Sequence, residues 1–210
     1  NQEFNDLTLS AVFKEGIIHI EDFTLTNNEQ TGIQMSGSFP IKEISSSNTV
    51  DISSHFSYLN TDFFTQFIPD GFPITGIVTG NFNLKSEGSS PLYEFDLTMK
   101  NGFYDKIDLG NVSVEGFYRN NTLTFDSFST TNSEGNITGS ASLPMELDYN
   151  SIDFGKKVLN KPVDITVLGS FNHMDFLTEY LSITDSLRGT VKIELSINGG
   201  WEQLIRNGKI

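Results

Sequence analysis

The chain has 210 residues and no cysteine, so it is long enough for one or two domains with a sizeable core, and disulfides, thiolate metal sites and Cys nucleophiles are excluded. Its 13 Lys and Arg stand against 27 Asp and Glu, a formal net charge of −14 with a pI near 4.4, and no basic cluster offsets it, which disfavours nucleic acid and anionic lipid surfaces as partners. Abundant Phe, Gly, Ser, Thr and Asn mark a folded chain of β character, and no apolar run approaches the roughly 18–20 residues of a membrane-spanning helix.

Apolar residues alternating with polar ones give a strand one dry face, because successive side chains point to opposite sides. Leu7, Leu9, Ala11 and Phe13 alternate with Thr8, Ser10 and Val12, and Ile18 and Ile20 flank His19. Further along come Phe82 and Leu84, then Phe95, Leu97 and Met99, then Val112 and Val114, then Leu123 and Phe125. Val191, Ile193, Leu195 and Ile197 close the series against Lys192, Glu194, Ser196 and Asn198. These eighteen residues, Ala11 set aside, are expected on one shared face. Turn signals separate the runs: Lys14-Glu15-Gly16, Asn27-Asn28, Ser86-Glu87-Gly88, Asn101-Gly102, Asn120-Asn121, Asn132 to Gly135, and Asn198-Gly199-Gly200. Roughly a dozen short antiparallel strands follow from this spacing.

Two segments break the rhythm. Phe63, Phe64, Phe67 and Ile68 after Asp62, and Phe176, Leu177, Tyr180 and Leu181 after Asp175, have the spacing of one helical face behind a capping residue. The spacing predicts short helices over Asp62–Ile68 and Asp175–Leu181. They also expose an internal repeat. Val50–Gly76 aligns without a gap on Val163–Gly189 at an offset of 113, with eight of 27 pairs identical, among them Asp62/Asp175, Phe63/Phe176 and Gly76/Gly189. Asp6–Glu29 aligns with Asn111–Glu134 at an offset of 105, keeping Phe23/Phe128, Thr26/Thr131, Asn27/Asn132 and Glu29/Glu134. The repeat predicts one continuous elongated domain of two units, residues 1–105 and 106–210, the first starting and the second stopping in mid-unit. Residue 1 is Asn and no signal-like stretch follows, which reads as a mature chain or a piece of a longer one.

Residues 62–145 carry a short amphipathic helix, a Gly-led strand from Gly76 and Gly80, a Gly88 to Pro91 step, a strand ending at Asn101-Gly102, an entry at Leu109-Gly110, two alternating strands, and a Gly135, Gly139, Leu143-Pro144 close. This order resembles the repeating pattern of the TamB branch of the AsmA-like family, and with the second copy the resemblance covers nearly the whole chain. Leu204 stands where the first copy has Pro91, so the second step departs from the pattern. The resemblance implies an all-β fold: a repetitive antiparallel sheet curled into a taco-like half-pipe with an apolar interior, plus one short helix per repeat. It also implies a periplasmic segment of an inner-membrane-anchored protein in a diderm bacterium, touching membranes only through parts outside this chain. Phospholipid acyl chains are then the expected cargo, and an outer-membrane barrel protein is an expected partner in a role in outer-membrane protein assembly. The alternation by itself fits a trough or a closed sandwich, so a β-sandwich repeat of an adhesin is the rival reading.

Nothing in the pattern points to catalysis, and no cofactor is expected. His19, His55 and His173 share no ligand spacing, and no nucleophile elbow, phosphate-binding lysine loop or calcium loop occurs. Glu94/Asp96 and Glu21/Asp22 fall mostly on the polar side of alternating strands, where they solubilise. Trp201, next to Gly199-Gly200, reads as a loop anchor.

Overall fold

A computed structural model describes residues 4–27, 30–41, 49–61, 74–87, 90–147, 156–173 and 188–209. Thirteen strands are found among them: β1 (Asp6–Lys14), β2 (Ile17–Asn27), β3 (Gln30–Pro40), β4 (Asp51–Asn60), β5 (Ile74–Glu87), β6 (Ser90–Tyr104), β7 (Ile107–Arg119), β8 (Thr122–Thr131), β9 (Gly135–Glu146), the two-residue β10 (Lys156–Lys157), β11 (Val163–His173), β12 (Arg188–Gly200) and β13 (Gln203–Lys209). Twelve of them form one antiparallel meander in chain order, and β10 adds to the end of β9. The described residues are all-β, and β1 and β13 each have one ladder partner, so the sheet is open. Both predicted helices lie outside the described residues.

Local chemistry explains the meander. Two-residue turns need positive φ to match the twist of their strands. Glu15 and Gly16 supply it between β1 and β2 (φ 53° and 82°), and Asn120 and Asn121 between β7 and β8 (52° and 56°). Two expected turns are corrected. Asn101-Gly102 and Asn198-Gly199 stay inside β6 and β12, and the chain turns at Asp105-Lys106 and Trp201-Glu202 instead. At Asn101 the positive φ of 51° makes a bulge, with the register slipping between Met99 and Gly102, because the same backbone conformation serves a bulge as well as a turn.

The repeat is visible in the ladders themselves. Shifting Leu9↔Phe23 and Ala11↔Ile20 of β1–β2 by 105 gives Val114↔Phe128 and Gly116↔Phe125 of β7–β8. Shifting Ile52↔Leu84 of β4–β5 by 113 gives Ile165↔Ile197 of β11–β12. All seven β12–β13 pairs, from Glu194↔Lys209 to Gly200↔Gln203, are β5–β6 pairs moved by 113. Even a bulge recurs. Between β2 and β3, Ile20 and Phe23 face Gly37 and Met35, and between β8 and β9, Phe125 and Phe128 face Ala141 and Gly139.

The chain exposes 13608 Å², against roughly 9,700 Å² for a compact monomer of 23.4 kDa. Strands pack mainly on their ladder neighbours, and the buried apolar side chains are few, among them Leu59, Val78, Met99, Tyr118 and Val163. Close backbone approach matters at Gly80, whose φ of 150° is rarely adopted by other residues and where a Cβ would land on the carbonyl oxygen of Asp96. Gly80→Ala is expected to cost about 2–4 kcal/mol, read as a lower urea midpoint at unchanged slope. A change within error would show that this approach relaxes freely.

Candidate functional site

Directly paired residues of neighbouring antiparallel strands project to the same side, so the register identifies each face. One row runs Leu7, Leu25, Ile33, Phe56, Gly80, Leu97, Val114, Phe128, Gly139, Val167, Leu195, Gly208 across all twelve strands without a break. A second runs beside it: Leu9, Phe23, Met35, Ser54, Phe82, Phe95, Gly116, Phe125, Ala141, Ile165, Ile197, Arg206. From β1 to β12 these rows contain no charged side chain and a single hydroxyl, Ser54. At about 4.8 Å per strand, each extends roughly 50 Å along the sheet.

The ladders place all eighteen residues singled out by alternation on this side. Phe13 pairs Ile18, Met99 joins Val78 to Val112, and Leu84 lies in line with Leu123 through Tyr93 and Tyr118. The face also gathers Phe23, Leu25, Phe56, Phe128, Ile165 and Val167, which alternation alone did not single out. For Phe23, Leu25 and Phe128 the parity is hidden by the two-for-one bulges at Glu21-Asp22 and Asp126-Ser127, whereas Ile165 and Val167 stand in a regular alternation with Val163. The identity Phe23/Phe128 between the two copies was the available signal.

Phe82, Phe95, Leu97, Val114 and Phe125 are half-buried, and Leu7, Leu9 and Phe13 on β1 are 60–65% exposed. Phe95 and Phe125 meet edge to face at 5.7 Å and 64°, and a Cβ on Gly116 would crowd the Thr124 carbonyl oxygen and lie 2.9 Å from the Phe95 ring tip, so the missing side chain leaves room for the ring. Phe56, Val78, Phe82, Leu97, Val114 and Leu123 help to line an almost wholly apolar concavity of about 640 Å³ over β4 to β8. That size lies within the about 300–1,000 Å³ of small-molecule pockets.

The opposite face is mostly polar, although Val12, Leu168 and Ile205 are exposed on it. Glu94, Asp96, Glu115 and Asp126 are exposed there, with Asp96 directly across from Glu115. Like charges so paired are tolerable only because water screens them. His55 bonds Asn81 Oδ1 through Nδ1 at 2.9 Å and Ser57 Oγ through Nε2 at 3.0 Å, a surface network. His173 ends β11 opposite Arg188. Among the described residues no three His, Asp or Glu side chains gather as a metal site, and no helix is long and apolar enough to cross a membrane. Trp201 anchors the β12–β13 turn: its indole N–H donates to the Pro144 carbonyl at 2.8 Å, and the Lys157 ammonium stands 5.2 Å from the ring centre.

Compared with protein-family models, with curated proteins and with solved structures, the chain matches none.

Proposed function

We propose that this sheet is a segment of a hydrophobic conduit that carries phospholipid acyl chains between the two membranes of a diderm envelope, curled into a half-pipe with the two apolar rows as its floor. The observation that carries the reading is the unbroken, uncharged and half-open row across the strands. The resemblance of the repeat to the TamB branch of the AsmA-like family supplies the periplasmic setting and the lipid cargo. Bulges in most ladders favour the curl, since each bends its strand and increases the local twist. The twelve strands of one sheet count against the sandwich, which needs two sheets facing each other.

The mechanism follows from the physics of the floor. Each methylene taken out of water gains about 0.8 kcal/mol, and the gain scales with area and has no direction. A tail therefore has nearly the same energy at every point along a uniform row and slides from strand to strand. One tail reaches across about half of a ~30 Å hydrocarbon core, so a row of roughly 50 Å offers about three tail lengths of track. No bond is made or broken, and the acidic outer face keeps phosphate headgroups and other anionic surfaces off the back of the sheet.

A photo-reactive phenylalanine analogue at Phe95 is expected to crosslink to phospholipid in cell envelopes, and the same probe at the outward Asp96 is expected not to. Equal crosslinking at both positions, or capture at Phe95 of this chain alone, would sink the conduit.

A further inference from the structure

We propose that Thr61 is a fixed stop on the apolar face, where its hydroxyl donates a hydrogen bond to the ester carbonyl at the root of a phospholipid acyl chain. This rests on the conduit reading and adds to it one point at which a tail is held by its polar end.

The residue is out of keeping with its surroundings. Thr61 follows β4 and is tied to β5 by its N–H, which donates to the Gly76 carbonyl at 3.0 Å. It helps to line the concavity of about 640 Å³, whose surface is almost wholly hydrocarbon. It is only 7% exposed, and its Oγ1 is sealed from water with no hydrogen-bond partner among the described residues. A buried hydroxyl is ordinarily paired, and one left alone gives up its hydration for nothing in return. Ser86, likewise buried, shows the ordinary case, since its Oγ accepts from the Val50 N–H at 2.8 Å.

Nearby side chains leave that donor free. Gly76 has no side chain, and the Met99 side chain crowds the place where its Cβ would stand. Leu59, Val78 and Met99, in line one step along the same face, carry no oxygen acceptor. With Oγ1 sealed, Thr61 shows the cavity its methyl. A rotation of about 120° about χ1 exchanges methyl and hydroxyl between staggered positions of similar bulk, so the donor is delivered without moving the backbone.

The chemistry names the ligand. A neutral hydroxyl in an uncharged wall calls for a neutral acceptor, because an anion would leave water for a site that holds no cation. A phospholipid carries one ester carbonyl at the root of each tail, and that acceptor arrives with a chain already lying on the apolar face. The cavity has the extent for it. Ile74, Val78 and Phe82 line it along β5 at four-residue intervals, roughly 26 Å from first to last, against the about 15 Å that one tail spans in a bilayer. Thr61 stands toward the Ile74 end, so the tail of a chain held there lies toward Phe82 and Phe125. A uniform floor lets a tail slide, and one hydroxyl gives the track a preferred station.

The test compares two lipids that differ only in this carbonyl. Vesicles holding equal amounts of diester phosphatidylethanolamine and its diether analogue are mixed with the chain carrying the photo-reactive phenylalanine analogue at Phe95, and the captured lipids are counted by mass spectrometry. With Thr61 in place the diester is expected to be favoured roughly three- to tenfold, the yield of one net hydrogen bond. Thr61→Val, of the same shape, should take the two lipids equally, and Thr61→Ser should keep the preference. In urea without lipid, Thr61→Val should hold or raise the midpoint, because it removes a polar group that has no partner. Equal capture of both lipids with Thr61 in place, or a preference that survives Thr61→Val, would overturn the stop and leave the conduit standing. A lower urea midpoint for Thr61→Val would show the hydroxyl already employed by the fold and overturn the stop as well. Capture of neither lipid would overturn the conduit and the stop together.

Discussion

Leu97→Asp is expected to stop lipid passage at the middle of the sheet while leaving the fold standing. Leu97 belongs to the first row, between Gly80 and Val114, and lines the apolar concavity. A carboxylate there keeps its water because the position is only half-buried. The fold should therefore lose about 1–2 kcal/mol, well below the 3–5 kcal/mol typical of an unpaired charge sealed in a core. For a chain of this length that is roughly 2–8 °C in Tm. A passing tail meets a hydrated group where it had hydrocarbon. Three or four methylenes left without contact cost about 2–3 kcal/mol, which is one to two orders of magnitude in occupancy at that point. Leu195→Asp, in the same row on β12, should do the same farther along the sheet. Asp96→Asn and Glu194→Lys, each one residue away on the outer face, should change neither lipid crosslinking nor Tm. If Leu97→Asp melts cooperatively tens of degrees lower, the face is a sealed core. If crosslinking on both sides of the site persists undiminished, the row is not the path.

This contrast between fold and cargo also decides how much of the protein was legible from its residues. Period-two alternation finds a strand and its dry face wherever the strand is regular, and for Phe95, Leu97 and Met99 or Val191 to Ile197 it needed nothing else. It fails at bulges, because one inserted residue reverses the apparent parity of everything beyond it. Phe23 and Phe128 stand three residues from Ile20 and Phe125, a spacing that reads as two faces until the extra residue is seen to face outward unpaired. Asn-Gly pairs mislead for a related reason: a left-handed residue serves a tight turn and a bulge equally well, and the ladder on either side decides between them. The repeat was legible at offsets of 105 and 113, yet β3 and β9 correspond at 104, as Gly37-Ser38-Phe39-Pro40 and Ala141-Ser142-Leu143-Pro144 attest. The extra residue is Gly32, bulged within β3 where the register slips between Leu25↔Ile33 and Thr26↔Thr31; it falls between the two aligned blocks, so an ungapped comparison passes it by. Whether a dry face is covered depends on contacts distant in sequence, and no local pattern encodes it.

Tyr118→Ala is expected to be the most destabilising single truncation among the described residues of the sheet. At 1% exposure, Tyr118 is one of the largest fully buried side chains, unlike the half-buried aromatics at the centre of the same face. Its ring lies 5.7 Å from that of Tyr93 in the row that continues to Leu123 and Leu143. Its hydroxyl donates to Asn121 Oδ1 at 3.2 Å in the β7–β8 turn and accepts from the Leu147 N–H at 2.9 Å, just beyond β9. One side chain thus ties a turn and the exit of a strand to the same end of the sheet. Removing the ring leaves a cavity that paired strands cannot collapse around, a loss of about 3–5 kcal/mol and roughly 6–20 °C in Tm. Tyr118→Phe keeps the packing but leaves the Leu147 N–H without its acceptor, so it should cost about 1–2 kcal/mol. Glu115→Ala, exposed across from Asp96 on the polar face, should stay within about 0.5 kcal/mol, since it removes a like-charge neighbour and little contact. Urea titration of the three variants separates the contributions. A Tyr118→Ala midpoint no lower than that of Glu115→Ala would mean that this end of the sheet is not the anchor, and a Tyr118→Phe loss equal to the Tyr118→Ala loss would assign the stability to the hydroxyl and not to the ring.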